Sequence, residues 1–332
     1  MQRFVNNPDF IVDDMLAGFV KVHREVSLSS KNDRVVKLNK LSATNKVGLV
    51  TGGGSGHEPA FLGYLGDHLL DAVAIGEVFA SPPAQAFYDA MVEADNGNGV
   101  ACLFGNYAGD NMNVKMAVQM AKEAGITVKY VTANDDVASA SQETKEKRHG
   151  IAGGFFMWKI GGARAALGGT LDEVIRSAQK AVDHTRSICV GLAPCTIPAV
   201  GKANFQISPG TMEFGVGHHG EAGMKVEKLG TADKIAEEMT ASLLDDFEFS
   251  AKQELAVMVS GLGSTPLMEL YVLYSKVEQM LRSSGHDIFR VYIGDYVTSL
   301  DMNGASLTIM SVDEELKELL NYPASPVGIK SY

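Results

Sequence analysis

Apolar positions along the chain fall into two rhythms. Short runs rich in β-branched residues read as buried strands: Val47-Gly48-Leu49-Val50 and residues 70–76, 100–104 and 128–131. Segments between them carry apolar residues at helical spacing. One helix is expected from an N-cap at Ser81 to about Ala94, and another carries Met116, Met120 and Ala124. Upstream, Asn7-Pro8 opens a helix with Ile11, Met15, Leu16 and Phe19 on its apolar face. Residues 24–45 read as polar and irregular, apart from a short strand at Val35-Val36.

Each early strand runs into glycine. The first is followed by Thr51-Gly52-Gly53-Gly54-Ser55-Gly56-His57-Glu58-Pro59, the second ends at Gly76, and the third leads into Gly105-Asn106-Tyr107-Ala108-Gly109-Asp110. Strand, glycine loop and helix, repeated three times, predict an α/β sheet whose loops gather at the strand C-terminal ends, where ligands bind in such folds. The richest loop reads as a strand-to-helix turn, with Pro59 as the first helical residue and His57 presented near a helix N-terminus. Three familiar motifs fail there. No Lys follows for a phosphate-binding P-loop, His57 stands where a nucleophile elbow needs glycine, and Pro59 stands where a dinucleotide fingerprint needs its third glycine. A plain tight turn with a surface histidine is the bland alternative.

Residues 134–148 read as an exposed stretch, first acidic and then basic. Gly153-Gly154 and Gly161-Gly162 flank a helix of small residues, and Thr170 with Glu173 makes a capping box for a helix over 171–184. Beyond this the character changes. A strand at 187–192 precedes a Pro- and Gly-rich region over 194–223, long enough to suggest a functional loop. Thr231 caps a helix with Ile235, Met239 and Leu243 on one face, residues 255–259 form a strand, and Pro266 starts a helix with Leu270, Leu273, Val277 and Leu281. Strands at 289–293 and 306–310 close the chain. A length of 332 residues suits two domains, 1–185 and 186–332, each an α/β unit with a mixed sheet covered by helices.

Composition narrows the function classes. A net charge of -11 argues against non-specific nucleic-acid binding. The three cysteines, Cys102, Cys189 and Cys195, have no metal-type spacing and suggest a reducing compartment. The first residues lack an apolar signal core and no run reaches transmembrane length, so a cytoplasmic protein is expected.

Of eight histidines, His23, His68, His149, His184 and His286 read as surface or structural. His57 and the pair His218-His219 instead lie in the most glycine-rich loop of each half, which suggests two loops meeting at one pocket. A polar turn is the alternative for the pair. Asp110 suits a general base, since a carboxylate and an imidazole in one pocket can take a proton from a hydroxyl; equally, it could cap the following helix. A metal held by His57, His219 and a carboxylate is conceivable chemically, but no spacing fixes it, and no metal is assigned.

Six segments, in order, resemble the substrate-binding subunit of dihydroxyacetone kinase: residues 52–59, 76–82, 106–110, 193–198, 212–221 and 298–302. The resemblance spans nearly the whole chain. It implies two α/β domains, a homodimer, and a substrate ketone held as a hemiaminal on the ring nitrogen of His219. It makes His57 and Asp110 the acid/base pair for the hydroxyl that receives the phosphoryl group, with Gly54, Ser55, Gly56 and Gly105 lining the substrate. It puts no cofactor on this chain: ADP and Mg are expected on an L-type partner subunit, recharged by an M-type phosphotransferase subunit. Where the family pattern carries Lys before Asn-Tyr, this chain has Gly105, which brings a four-carbon ketose such as erythrulose into consideration. A ligand-sensing coactivator of a transcription regulator is the alternative within the same family.

Overall fold

The computed structural model describes residues 3–40, 45–247, 249 and 252–329. Residues 41–44 of the stretch expected to be irregular, and the first two residues of the chain, lie outside them.

Two six-stranded sheets organise the chain. The first contains β1 (Val26–Leu28), β2 (Val35–Leu38), β3 (Gly48–Ser55), β5 (Ala72–Val78), β6 (Val100–Gly105) and β7 (Val128–Ala133), after the N-terminal helix α1 (Ile11–Val22); the two-residue strand β4 (Gly66–Asp67) lies between β3 and β5 in sequence. Its spatial order is β1-β2-β5-β3-β6-β7, parallel from β5 to β7 and antiparallel at β1 and β2. The crossover helices α2 (Ala84–Ala94) and α3 (Ala108–Glu123) cover one face, and α4 (Gly154–Ala166) and α5 (Leu171–Asp183) the other.

From Thr185 the strands build the second sheet. It contains β8 (Thr185–Ala193), β11 (Thr211–Phe214), β12 (Lys225–Lys228), β13 (Glu254–Gly261), β14 (Asp287–Gly294) and β15 (Asn303–Val312), in the order β12-β11-β8-β15-β13-β14. Only β13 and β14 pair in parallel. The short hairpin β9 (Thr196–Ile197) and β10 (Lys202–Ala203) projects from the loop after β8. Helices α6 (Ala232–Asp246) and α7 (Leu267–Ser283) pack on one face of this sheet, and α8 (Glu314–Asn321) leans on α4. The chain then returns to the first half, where β16 (Ser325–Pro326) pairs with β4.

The two halves share a core. Phe155 and Phe156 of α4 meet Tyr292 of β14 edge-on, and Trp158 packs with Tyr64 and Phe61. So α4 is buried on all sides. Of the two glycine pairs expected to flank this helix, Gly153-Gly154 does so, as N-cap and first residue, whereas Gly161 and Gly162 sit mid-helix, where a Cβ would strike Leu103 and the backbone of His68. The cost of helical glycine is accepted where two layers approach this closely.

Several other expectations give way for physical reasons. The glycines of residues 52–54 are not a turn but the end of β3, paired with Ala74, Ile75 and Gly76. No α-helix follows Pro59; a single 3-10 turn at Leu62–Tyr64 takes its place. Ser81 does not cap α2, whose N-cap is Pro83. Residues 134–148 are exposed only in part: residues 141–143 and 145–147 are exposed as expected, but Asp135, Asp136 and Arg148 are buried. The Asp135 carboxylate accepts from the amides of Ile151 and Gly153, while Arg148 forms a two-pronged pair with Asp246 at 2.8 and 2.6 Å. Charged residues were read as surface, yet here they pin a loop between the halves, with every buried charge partnered. Strand β1 and helix α8 were not anticipated; α8 is capped by Asp313. The capping box at Thr170 and Glu173 and the cap at Thr231 form as their spacing predicts.

Candidate functional site

The site lies at the C-terminal ends of β3 and β6, against a turn from the second sheet. Its cavity is lined by the backbone of Gly52, Gly53, Gly54, Gly105, Gly150 and Gly154, by the rings of Phe61, Tyr107 and Trp158, and by His57, Asp110, His218 and His219. As it stands the cavity is small, about 40 Å³.

His57 is placed by the chain turning sharply after β3. Gly56 has φ +102°, in the left-handed region, and its amide donates to the Glu58 carboxylate at 3.1 Å. The ring is buried and stacks on Phe79 at 5.1 Å. Its Nδ1 lies 2.7 Å from the carbonyl of Thr298, an acceptor, so Nδ1 carries the hydrogen and Nε2 presents a lone pair. Burial, together with His219 and His218, pushes its pKa well below the ordinary histidine value, so the ring is neutral at pH 7.

His219 sits in the turn over residues 215–221. Glu221 curls back under it and accepts from both the His219 amide and Nδ1, each at 2.9 Å. Gly217 is required there because a Cβ would collide with the Glu221 carboxylate. Burial opposes the ionised carboxylate, but the hydrogen bonds and charge of His219 prevail and hold Glu221 at about 2. Glu221 therefore fixes the His219 tautomer with Nε2 free. The two Nε2 atoms, 162 residues apart in sequence, lie 3.1 Å from each other. Both rings use Nδ1 as donor, so this contact is a hydrogen bond only when one ring holds an extra proton.

A strap from the second half positions both rings. Thr298 accepts from His57, its hydroxyl donates to the Glu58 carbonyl at 2.9 Å, and the Leu300 amide donates to Gly56 at 2.7 Å. The Ser299 hydroxyl donates to the carbonyl of His218. One short segment thus fixes the two turns against each other.

Asp110 is not the N-cap of α3, a position held by Tyr107; it lies in the first helical turn. Its Oδ1 is buried without a protein partner. Burial raises its pKa to about 6, opposed by Ser81 and His219. A base poised near neutrality, on a residue that lines the cavity, suits proton abstraction from a hydroxyl.

The site residues anticipated from sequence meet unevenly. His57, His219, Asp110, Gly54 and Gly105 line the cavity. Ser55 turns its hydroxyl to the Gly76 carbonyl at 2.8 Å, and Gly56 supplies the bend. Sequence reasoning missed Glu221 and Thr298 as orienting groups, and Phe79, which stacks on His57 and meets His219 edge-on at 5.1 Å. The Gly217–Glu221 spacing was the one available signal; nothing local reveals that a backbone carbonyl 241 residues away holds His57.

Residues 17–328 match the Dak1 domain family model. A relative from Listeria innocua, named the dihydroxyacetone-binding subunit of a PTS-dependent dihydroxyacetone kinase, is 39% identical over 97% of each chain. An L-erythrulose 1-kinase of Mycolicibacterium smegmatis is 37% identical over 97% of this chain, which spans 57% of that protein. Among solved structures, the dihydroxyacetone kinase of C. freundii superposes with a TM-score of 0.91 at 30% identity, covering 98% of this chain and 60% of that one. A dihydroxyacetone kinase operon co-activator superposes with a TM-score of 0.89 at 31% identity, covering 95% and 97%. The paired histidines, the orienting Glu221 and the match across 17–328 lead to one assignment: the chain belongs to the Dak1 domain family.

Proposed function

We propose that this chain is the dihydroxyacetone-binding subunit of a phosphotransferase-dependent dihydroxyacetone kinase. The observation that carries the reading is the meeting of His57 and His219 Nε2 at 3.1 Å in a buried cavity that also holds Asp110. His219 Nε2 adds its lone pair to the ketone carbon; the carbonyl π pair moves to oxygen, which takes a proton from solvent, and the ring, now cationic, gives up its Nδ1 proton to the Glu221 carboxylate to leave a neutral hemiaminal. Glycerol, with no carbonyl, offers nothing to add to. The adduct holds a terminal hydroxyl as a near-attack partner, with His57 and Asp110 receiving its proton as the phosphoryl group arrives.

The donor comes from an L-type partner subunit carrying ADP and Mg, in turn recharged by an M-type subunit. Phosphoryl transfer then depends on positioning and charge neutralisation supplied by both chains. The chain acts as a homodimer in the cytoplasm; among the described residues, no helix is long and apolar enough to cross a membrane.

A longer ketose such as erythrulose is a second reading, favoured by Gly105. Gly105 lines the cavity without a side chain, where the family pattern places a Lys. The co-activator reading keeps ketone binding but needs no general base, and the unpartnered Asp110 oxygen disfavours it.

The test is carbon NMR with dihydroxyacetone labelled at the carbonyl. Wild type is expected to convert the ketone resonance into a tetrahedral one, and His219→Ala to leave it unchanged. An adduct that persists in His219→Ala sinks the assignment. Turnover should then require an L-type partner; a ligand-dependent complex with a DNA-binding protein, without turnover, would favour the co-activator.

A further inference from the structure

His218 is used by neither the adduct nor the proton transfer described above. Its ring is buried, 2% exposed, yet it lines the same cavity as His219 and stacks at 5.9 Å on His57. Its Nε2 has no hydrogen-bond partner among the described residues. Leaving an imidazole nitrogen unpaired in a buried site is costly, and an apolar residue of similar volume would avoid that cost. Ser299 does not need the imidazole, since it bonds the backbone carbonyl of His218.

The second unpartnered polar atom in the cavity is Asp110 Oδ1. Two residues that line the cavity therefore each hold a buried hydrogen-bonding atom without a partner among the described residues, beside His57 and His219, whose Nε2 atoms face each other. We propose that His218 is a specificity-determining residue, whose Nε2 binds a hydroxyl on the side of the ketone away from the phosphoryl acceptor. The proposal rests on the function assigned above and narrows its substrate class to ketones hydroxylated on both sides of the carbonyl. Asp110 takes the hydroxyl that reacts, His219 the carbonyl carbon, and His218 the hydroxyl that does not react. Burial and the neighbouring His219 push the His218 pKa down to about 4, so at pH 7 the ring contributes a neutral hydrogen bond rather than charge. A hydroxyl can both donate and accept, so either tautomer of His218 serves.

The experiment compares dihydroxyacetone with hydroxyacetone, which lacks one hydroxyl, by titrating the adduct in wild type, His218→Leu and His218→Gln. Wild type is expected to bind dihydroxyacetone about ten-fold more tightly, the worth of one neutral hydrogen bond. His218→Leu should weaken dihydroxyacetone to the level of hydroxyacetone and leave hydroxyacetone nearly unchanged. His218→Gln, with an amide in reach of the same hydroxyl, should restore part of the preference. Equal loss for both ketones in His218→Leu assigns the ring a structural role and overturns the proposal, as does an unchanged preference. Equal affinity of the two ketones in wild type overturns it without any variant, should His218→Leu fail to fold. If wild type forms an adduct with neither ketone, the function assigned above fails, and this proposal with it.

Discussion

From Gly52 to Gly54 the chain is extended and hydrogen-bonded to β5, and the missing side chains make room for neighbours. A Cβ would strike the Phe87 ring at Gly52, the Phe61 ring at Gly53, and the Ala80 amide at Gly54. In the turn that carries His219, Gly215 and Gly220 instead sit at φ +81° and +84°, conformations that bend the backbone. The first segment is a wall of bare backbone and the second a hinge-like turn that aims a nucleophile. A run of glycines therefore has two physical meanings, close approach in an extended strand and left-handed backbone in a turn.

The sharpest break in this comparison is chemical. His219→Ala should lower turnover by about 10³-fold or more while leaving the fold intact, measured as kcat/KM in the assembled kinase; retention of activity would show that the turn aims nothing essential. Glu221→Gln should cost about 10²-fold, because a neutral amide no longer fixes the His219 tautomer or supports positive charge on it. A matched drop in stability would instead make Glu221 a turn-forming residue.

The two kinds of glycine should then separate in stability. Gly54→Ala forces backbone apart at Ala80 and shifts Phe79, which stacks on His57, so a loss of about 2–4 kcal/mol is expected together with impaired ketone capture. Gly220→Ala meets the end of the flexible Asn204 side chain and mainly adds left-handed strain, about 1–2 kcal/mol. Urea unfolding of both variants checks the order, and a reversal would refute the distinction between wall and turn.

Asp110 links the wall to catalysis, and its expected effects oppose each other. Folding raises its pKa from 3.8 to about 6, so the ionised carboxylate costs stability above pH 6, and that cost fades as pH falls through 6 toward 3.8. Asp110→Asn should accordingly be more stable than wild type at pH 8 by about 1–3 kcal/mol, with the gain gone near pH 4, while turnover collapses. In wild type, kcat/KM should decline as pH drops through about 6. A stability gain at pH 4 equal to that at pH 8 would exclude the charge as its source.

Much of the fold was legible locally. Alternating strands and helices, the capping box at Thr170, the cap at Thr231 and the glycine at each strand end all report short-range constraints, and the structure contains them. The site is legible as chemistry: residue type and glycine context single out His57, Asp110 and the pair His218-His219, the family resemblance picks His219 from the pair, and all of them line one cavity. Errors arose where one sequence pattern serves two environments. Polar Asp135, Asp136 and Arg148 look solvated but are buried, with Asp135 bonded to the amides of Ile151 and Gly153, Asp136 to the nearby amide of Ala138 and Arg148 to Asp246. Gly161 and Gly162 looked like helix ends but are points of close approach.

The sequence by itself determined the periodicities, the turn-forming glycines and the reactive side chains, because each depends on neighbours within a few residues. Tertiary structure alone decided that the glycines after Thr51 form strand rather than turn, since the deciding contacts come from Phe87, Phe61 and Ala80. It also decided which nitrogen of His57 is free, since that follows from a carbonyl at Thr298, and it left His218 with a polar atom unpaired. Those outcomes depend on desolvation and on partners brought together by packing, quantities that no local stretch of sequence contains.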